Sequence, residues 1–251
     1  MLLAFDTATP QVTVALHDGD DVVAEMVSDR AMKHGEQLAP LISEVMTAAG
    51  VVRQDLTAIA VGAGPGPFTG LRVGLVTART LGFVLEIPVY AACSLDVLAV
   101  EAVSSGVVST SSTTGGGGFL VATDARRKEV YLASYDPDGA RLEGPVVVRP
   151  AEVVTSMPVV GEGALLYPDV FPSPIGPVRP SAGWLARAVA EERVELMDPE
   201  PLYLRRPDAV DQAAQKKGQK KGSRQARPPE SEKKGSRQAR PPETQKPVIS
   251  R

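Results

Sequence analysis

Between Val61 and Gly82 the chain places small residues at a fixed interval. Gly66, Gly70, Gly74, Ala78 and Gly82 each stand four apart. Four residues is just over one helical turn, so on a helix these positions form one stripe with almost no side chain. Each interior glycine costs a helix about 0.5–1 kcal/mol against alanine. The stripe therefore needs a compensating contact, a backbone or a helix brought unusually close. Packing against the chain's own sheet would supply it, and so would packing against a second protein. Arg72 and Arg79, seven apart, project to roughly one side and could rim such an interface.

The stripe grows out of a glycine-rich turn, Gly62–Gly70, set between a strand expected over Thr57–Val61 and a helix expected over Leu71–Glu86. Backbone N–H groups at such a turn can hold phosphate. Leu71-Arg72 stands where a Walker A loop needs Lys-Ser/Thr. Gly64-x-Gly66 is followed by Thr69 where a dinucleotide fingerprint has its third glycine. Pro65 and Pro67 each remove an N–H donor and stiffen the loop, so a rigid structural turn competes with a phosphate cradle.

Around this segment the pattern reads as a mixed sheet built twice. Leu2–Thr7, the alternating run at Val12, Val14 and Leu16, and Val22–Val27 form an antiparallel start. A first helix runs over Lys33–Ala49, with Leu38, Leu41, Ile42 and Val45 on one face and Gly50 as its stop. Pro88 ends the second helix, and Ser94 is expected to cap a third. Phe119–Thr123 and Glu129–Tyr135 then form a hairpin around Asp124–Lys128. Val146–Val148, Pro158–Gly161 and a helix over Ser181–Arg193 follow. The expected class is α/β. Its expected organisation is an N-terminal subdomain 1–103, a Ser/Gly-rich linker 104–118, a C-terminal subdomain 119–210 and a tail 211–251.

The tail repeats itself. Lys220-Lys-Gly-Ser-Arg-Gln-Ala-Arg-Pro-Pro-Glu230 recurs at Lys233–Glu243, a period of 13. With no core-forming side chains between Asp211 and Gln245 beyond Thr244, it is expected to be disordered. From Asp211 to Arg251 stand 7 Lys and 5 Arg against 4 acidic residues, a charge of +8. The totals of 27 basic and 30 acidic residues leave 15 and 26 in 1–210, so the body carries −11. A solubilising extension and a phosphate-binding one both fit that tail.

One cysteine excludes an internal disulfide, and the chain has no Asn and so no glycosylation sequon. His17 and His34 lie 17 apart with no Cys or His neighbour, which disfavours a metal site; His34 reads as a surface residue at a helix start. No G-x-S-x-G elbow occurs. The start of the chain shows no signal-type pattern, and its apolar runs fall short of the roughly 20 residues that span a bilayer. A cytoplasmic protein with no membrane partner is the expectation.

Five segments together carry a resemblance. Asp6-Thr-Ala-Thr9, Lys33-His-Gly-Glu-Gln-Leu38, Gly64–Gly74, Thr123–Tyr131 and Pro201–Pro207 resemble, in collinear order over about 1–208, the bacterial tRNA threonylcarbamoyladenosine biosynthesis family TsaB, also called YeaZ. That resemblance implies an actin/Hsp70/hexokinase-like fold of two βββαβα-type subdomains, the second partly degenerate. It implies a non-catalytic paralogue of the transferase TsaD, joined by the ATPase TsaE. Their complex moves a threonylcarbamoyl group to N6 of adenosine at position 37 of ANN-decoding tRNAs. Pairing with TsaD, or with a second copy, is implied to use the first two helices. The candidate interface is then His34, Gln37, Leu38 and Leu41 on the first, with Gly70, Leu71, Arg72, Gly74, Leu75, Ala78, Arg79 and Gly82 on the second. Asp6, Thr7, Thr9 and Asp124 would be vestigial phosphate-loop positions.

Actin-like phosphate turns want Asp-x-Gly, and here Ala8 follows Asp6-Thr7 while Ala125-Arg126 follows Asp124. The H-x-x-x-H metal motif of the catalytic paralogue has no counterpart. The expectation is a subunit without its own active site, binding no cofactor alone, with ATP and Mg²⁺ only at the level of the complex. tRNA would be met through the complex, with the basic tail as a second candidate. The alternatives are a small-molecule kinase of the same fold, with Asp6 and Asp124 handling Mg²⁺ and phosphate, and a peptidase.

Overall fold

A computed structural model describes residues 1–28, 33–108, 117–171 and 173–205. The tail 211–251 and most of the expected linker, 109–116, lie outside the described residues. Residues 1–206 form one compact unit containing two five-stranded sheets.

The first sheet is built from β1 (Leu2–Asp6), β2 (Thr13–His17), β3 (Val22–Val27), β4 (Ala58–Gly64) and β5 (Val89–Cys93), in the order β3-β2-β1-β4-β5. β1–β2 and β2–β3 pair antiparallel, whereas β1–β4 and β4–β5 pair parallel. The parallel pairs require crossovers, supplied by α1 (His34–Ala49) and α2 (Phe68–Leu85); α3 (Ser94–Ser104) follows β5. The second sheet repeats the plan with β6 (Phe119–Asp124), β7 (Val130–Tyr135), β8 (Arg141–Val148), β9 (Val159–Val160) and β10 (Pro174–Ile175), in the order β10-β9-β6-β7-β8. Its helices have shrunk. α4 (Glu162–Leu166) stands where α2 stands in the first half, and only a short turn at Pro150–Glu152 separates β8 from β9.

Side-chain size on β1 decides what packs on each face. Leu3 and Phe5 point towards Leu38 and Val45 of α1 and Leu71, Leu75 and Ala78 of α2. Ala4, with Ala15, Ala60 and Ala92, makes a shallow opposite face on which α5 (Ala182–Ala190) lies through Ala182, Leu185 and Ala186. α5 thus follows the second sheet in sequence yet packs on the first. Its N-terminus is held by Ser181, whose hydroxyl accepts from the Trp184 amide at 3.2 Å and donates to Glu25 at 2.8 Å. The Glu25 carboxylate also accepts the Gly183 amide at 3.1 Å, a negative group at the positive end of the helix.

Several local expectations are corrected. The glycine-rich turn is shorter, because β4 runs on to Gly64 and α2 begins at Phe68, leaving Pro65–Pro67 as the turn. Ser94 does not cap α3; its hydroxyl is used elsewhere. β8 starts five residues before the expected strand, as an edge strand whose exposed side chains hide its alternation. By length and composition α2 is the one described helix apolar enough to cross a membrane; here its stripe of small residues is buried and the helix packs on β4.

One half-buried acid is poorly placed. Burial, and then the Glu25 carboxylate, push Glu101 of α3 up to about 7, and its Oε2 has no hydrogen-bond partner. A folded-state value above the ordinary 4.5 means that the folded protein holds this proton more tightly. Its contribution is fully present below the unfolded value and is lost as pH rises through 7. Glu101→Gln should therefore stabilise the protein at pH 8 by roughly 1 kcal/mol, less than the full shift because solvent screens a part-exposed group. Near pH 4, below both values, the two proteins should melt together. Melting temperatures at the two pH values check this, and an equal gap at both would refute it.

Candidate functional site

Asp6 at the end of β1 and Thr7 and Thr9 in the loop after it, three of the four positions expected to be vestigial phosphate-loop residues, are each committed to the protein itself. Asp6 is buried; one carboxylate oxygen accepts the Ala8 amide at 2.6 Å and the other the Ser94 hydroxyl at 2.6 Å. Burial pushes its carboxyl above the ordinary range, while Ser94, Ala8 and the nearby His34 pull it back. A Cβ on Gly62 would run into this carboxylate, so the glycine makes room for it. Thr7 donates its hydroxyl to the Gly70 carbonyl at 2.9 Å, and the Thr9 hydroxyl donates to the Gln11 carbonyl at 3.3 Å. Asp124 lies at the end of β6, where its carboxylate accepts the Arg126 amide at 2.8 Å and lies 3.6 Å from the Arg126 guanidinium.

His34 is buried, contrary to the surface reading. Its Nε2 lies 2.7 Å from the Thr9 carbonyl, which only accepts, so the ring donates from Nε2. The residue ties the start of α1 to the loop after β1. Leu38 is buried in the core, while Gln37 and Leu41 are partly exposed.

The small stripe of α2 faces inward. A side chain at Gly70 would come within 2.5 Å of the Thr7 carbonyl, and one at Gly74 would collide with the Thr7 hydroxyl. Gly66 abuts Ala8 and Gly82 abuts Val89 in the same way. Leu71, Leu75 and Ala78 are buried beside them. Of the eight α2 residues expected at an interface, only Arg72 and Arg79 reach the surface.

The exposed stripe lies two positions away, about 200° round the helix. It runs through Phe68, Arg72, Val76, Arg79 and Phe83, with Val84 beside it. Its first half is strapped by the segment after α5. Tyr203 stacks on Phe68 at 5.0 Å, the Arg72 guanidinium lies 3.8 Å over the Phe68 ring, and Arg72 Nε donates to the Tyr203 hydroxyl at 3.0 Å. Arg79 pairs with Glu200 at 2.9 Å. The second half is open, with Phe83 at 85%, Val84 at 66% and Val76 at 60% exposure. Beside it Ile42, Met46, Leu81, Val84 and Leu85, together with Arg53 and Gln54, line a mixed groove of about 660 Å³. The four-residue period found the helix and its special face. The same period read from Phe68 reaches Arg72, Val76 and Val84, with Arg79 and Phe83 found only by a three-residue step after Val76.

The two halves meet across the loop after β1. Arg179 donates to Gln11 at 2.9 Å and pairs with Glu162 at the start of α4, while the Tyr131 hydroxyl donates to the Gly66 carbonyl at 3.4 Å. Among the described residues no group of three or more His, Cys, Asp or Glu is placed to hold a metal. The single cysteine, Cys93, is buried and its thiol is pushed up to about 12, far from thiolate chemistry at neutral pH. Asp6, Thr7 and the Thr9 carbonyl fasten β1, α1, α2 and α3 together.

Two substitutions test that reading. Asp6→Ala leaves the Ala8 amide and Ser94 hydroxyl unpaired in the interior and should cost about 2–3 kcal/mol. Gly74→Leu should destabilise by a similar or larger amount, because the side chain has nowhere to go. Chemical denaturation checks both, and an unchanged midpoint for either would refute the packing described.

Comparison with known proteins agrees with this geometry. A family model described as TsaD, tRNA N6-adenosine threonylcarbamoyltransferase, matches residues 22–173. An uncharacterized Mycobacterium tuberculosis protein is 41% identical over 213 residues, covering 83% of this chain and 93% of that protein. The tRNA threonylcarbamoyladenosine biosynthesis protein TsaB of Escherichia coli is 31% identical over 180 residues, covering 67% of this chain and 74% of its own length. The solved structure of YeaZ from Pseudomonas aeruginosa superimposes with a TM-score of 0.62 at 29% identity, covering 81% of this chain and 99% of that one. The twice-built sheet is the fold of YeaZ, and the chain belongs to the TsaB (YeaZ) family of tRNA threonylcarbamoyladenosine biosynthesis proteins.

Proposed function

We propose that this protein acts in threonylcarbamoyladenosine formation as a non-catalytic partner, docking a TsaD-type transferase on the open half of the outer α2 stripe. The observation that carries the proposal is the division of α2 into two faces. The inner face is consumed by the fold. The outer one leaves Val76, Phe83 and Val84 uncovered, an exposed apolar patch of the kind that marks a protein contact, beside a groove that Arg53 and Gln54 also line. Arg79 and Glu200 form a polar rim at its edge.

Absence of an active site of its own fits the commitment of Asp6, Thr7 and Thr9 to internal hydrogen bonds. A nucleotide phosphate would have to displace Ser94 and the Ala8 amide from Asp6. On this reading ATP and Mg²⁺ belong to the assembled complex, with TsaE supplying the ATPase, and the setting is the cytoplasm. A second copy of the chain would compete for the same face.

The purified chain, given threonylcarbamoyl-adenylate and tRNA, should form no modified nucleoside, and product should appear on adding TsaD and TsaE. Product from the chain alone would refute the proposal. Phe83→Ser with Val84→Ser should weaken pairing with TsaD by at least tenfold while leaving the melting temperature within about 2 °C, since both side chains are solvent-exposed. Titration of labelled TsaD checks it, and unchanged affinity would move the contact elsewhere.

A further inference from the structure

Arg72 stands on the outer stripe of α2, one turn after Phe68, and its guanidinium is held on two sides. The guanidinium carbon lies 3.8 Å over the Phe68 ring, and Nε donates to the Tyr203 hydroxyl at 3.0 Å. Tyr203 stacks on the same ring at 5.0 Å between centroids. Its segment is anchored next door, where the Leu202 amide donates to the Ala63 carbonyl at 3.0 Å. An arginine side chain gives up much rotamer freedom when it is fixed, and here the fold has ordered the fork before any partner arrives. With Nε engaged, the two terminal nitrogens remain, and their parallel N–H bonds match the two oxygens of a carboxylate. Elsewhere the chain supplies such an acid itself: Arg79, Arg179 and Arg187 pair with Glu200, Glu162 and Asp21. Arg187 is the nearest parallel, because it too lies over an aromatic ring, that of Trp184. Among the described residues Arg72 has no carboxylate within ion-pair distance.

Beside the fork lies a depression of about 520 Å³, lined on the α2 side by Phe68, Arg72, Val73 and Val76 with Thr69 and Thr77, and on the α1 side by Gly35. Gly35 keeps it open, since a Cβ there would meet only Val73, at 3.9 Å. Val76 belongs both to this depression and to the uncovered half of the stripe, so the two surfaces are continuous. Among the described residues lining the depression, Arg72 is the one that is charged. A phosphate is usually gripped by several cations or N–H groups converging on it. A single guanidinium among valines, a phenylalanine and two threonines suits the single charge and planar shape of a carboxylate instead. A body of formal charge −11 repels acidic partners at long range, so a fixed cation within an apolar patch specifies where an acid can approach. Arginine is also among the residue types that carry most of the energy of protein contacts.

We infer that Arg72 is a preset receptor for an Asp or Glu carboxylate of the docking partner, and that the depression takes an apolar side chain next to that acid. The inference rests on the pairing with TsaD proposed above and names the chemistry of that contact. Labelled TsaD is titrated with the full chain and its variants. Arg72→Gln should weaken pairing by roughly tenfold or more, and Arg72→Lys by nearly as much, because an ammonium keeps the charge but lacks the fork. Gly35→Leu fills the depression from an exposed position, leaves Arg72 in place, and should also weaken pairing by roughly tenfold. Arg187→Gln, which removes the other stacked arginine from the opposite side of the sheet, should stay within about twofold. At saturating concentration, a water-soluble carbodiimide should join position 72 of the Arg72→Lys variant to one acidic residue of TsaD. Replacing that acid by its amide should weaken the parent as much as Arg72→Gln does, and should add less than about twofold to Arg72→Gln itself. Unchanged affinity of Arg72→Gln, full affinity of Arg72→Lys, or additive losses in the paired variants would overturn the inference. If Arg72→Gln binds normally while Phe83→Ser with Val84→Ser does not, the docking face stands and the carboxylate contact alone has failed. If neither weakens pairing, both have failed.

Discussion

A side chain at Gly66, Gly70 or Gly74 would collide with the backbone of Ala8 or with the backbone and hydroxyl of Thr7, so α2 can lie against the end of β1 only because those positions carry none. The interior glycines of α2 cost the helix about 2–3 kcal/mol against alanine. What they gain is contact between a helix and the loop on which the whole first half converges. With α2 in place, Thr7 can reach the Gly70 carbonyl. Across the same loop, Asp6 reaches α3 through Ser94 and His34 holds α1 to Thr9. Three helices are thus tied to one short stretch of chain.

The same knot occupies the polar groups of the loop. Phosphate binding needs N–H groups, hydroxyls and small residues left pointing at open space. Here the hydroxyls of Thr7 and Ser94 and the amide of Ala8 have partners within the protein. Helix α2 is pinned by its inner face, and its outer face is covered only as far as Tyr203 and Glu200 reach. The apolar residues beyond them remain in water at a cost the fold does not need to bear. That cost makes sense if a second protein covers them.

Much of this was legible in the sequence, and the failures share one cause. The four-residue period located α2, and the alternation after Asp6 located the antiparallel start. Periodicity shows that a face is unusual but not what covers it, so the glycine stripe read equally well as an interface. His34 sits among Lys33, Gly35 and Glu36, a polar setting that suggests exposure; the carbonyl that buries it comes from 25 residues away. Ser94 has the residue type of a helix cap, but its partner Asp6 is 88 residues distant. The left-handed turn through Arg126, Arg127 and Lys128 left no signal, because Arg and Lys are poor indicators of positive φ.

The central claim is that α2 has one face for the fold and one for a partner. Hydrogen exchange on the full chain, alone and with TsaD, tests it most directly. The α2 amides should exchange slowly in the free protein, and those of residues 76–85 should slow further when TsaD is added. Unchanged α2 exchange, with new protection confined to another surface, would contradict it.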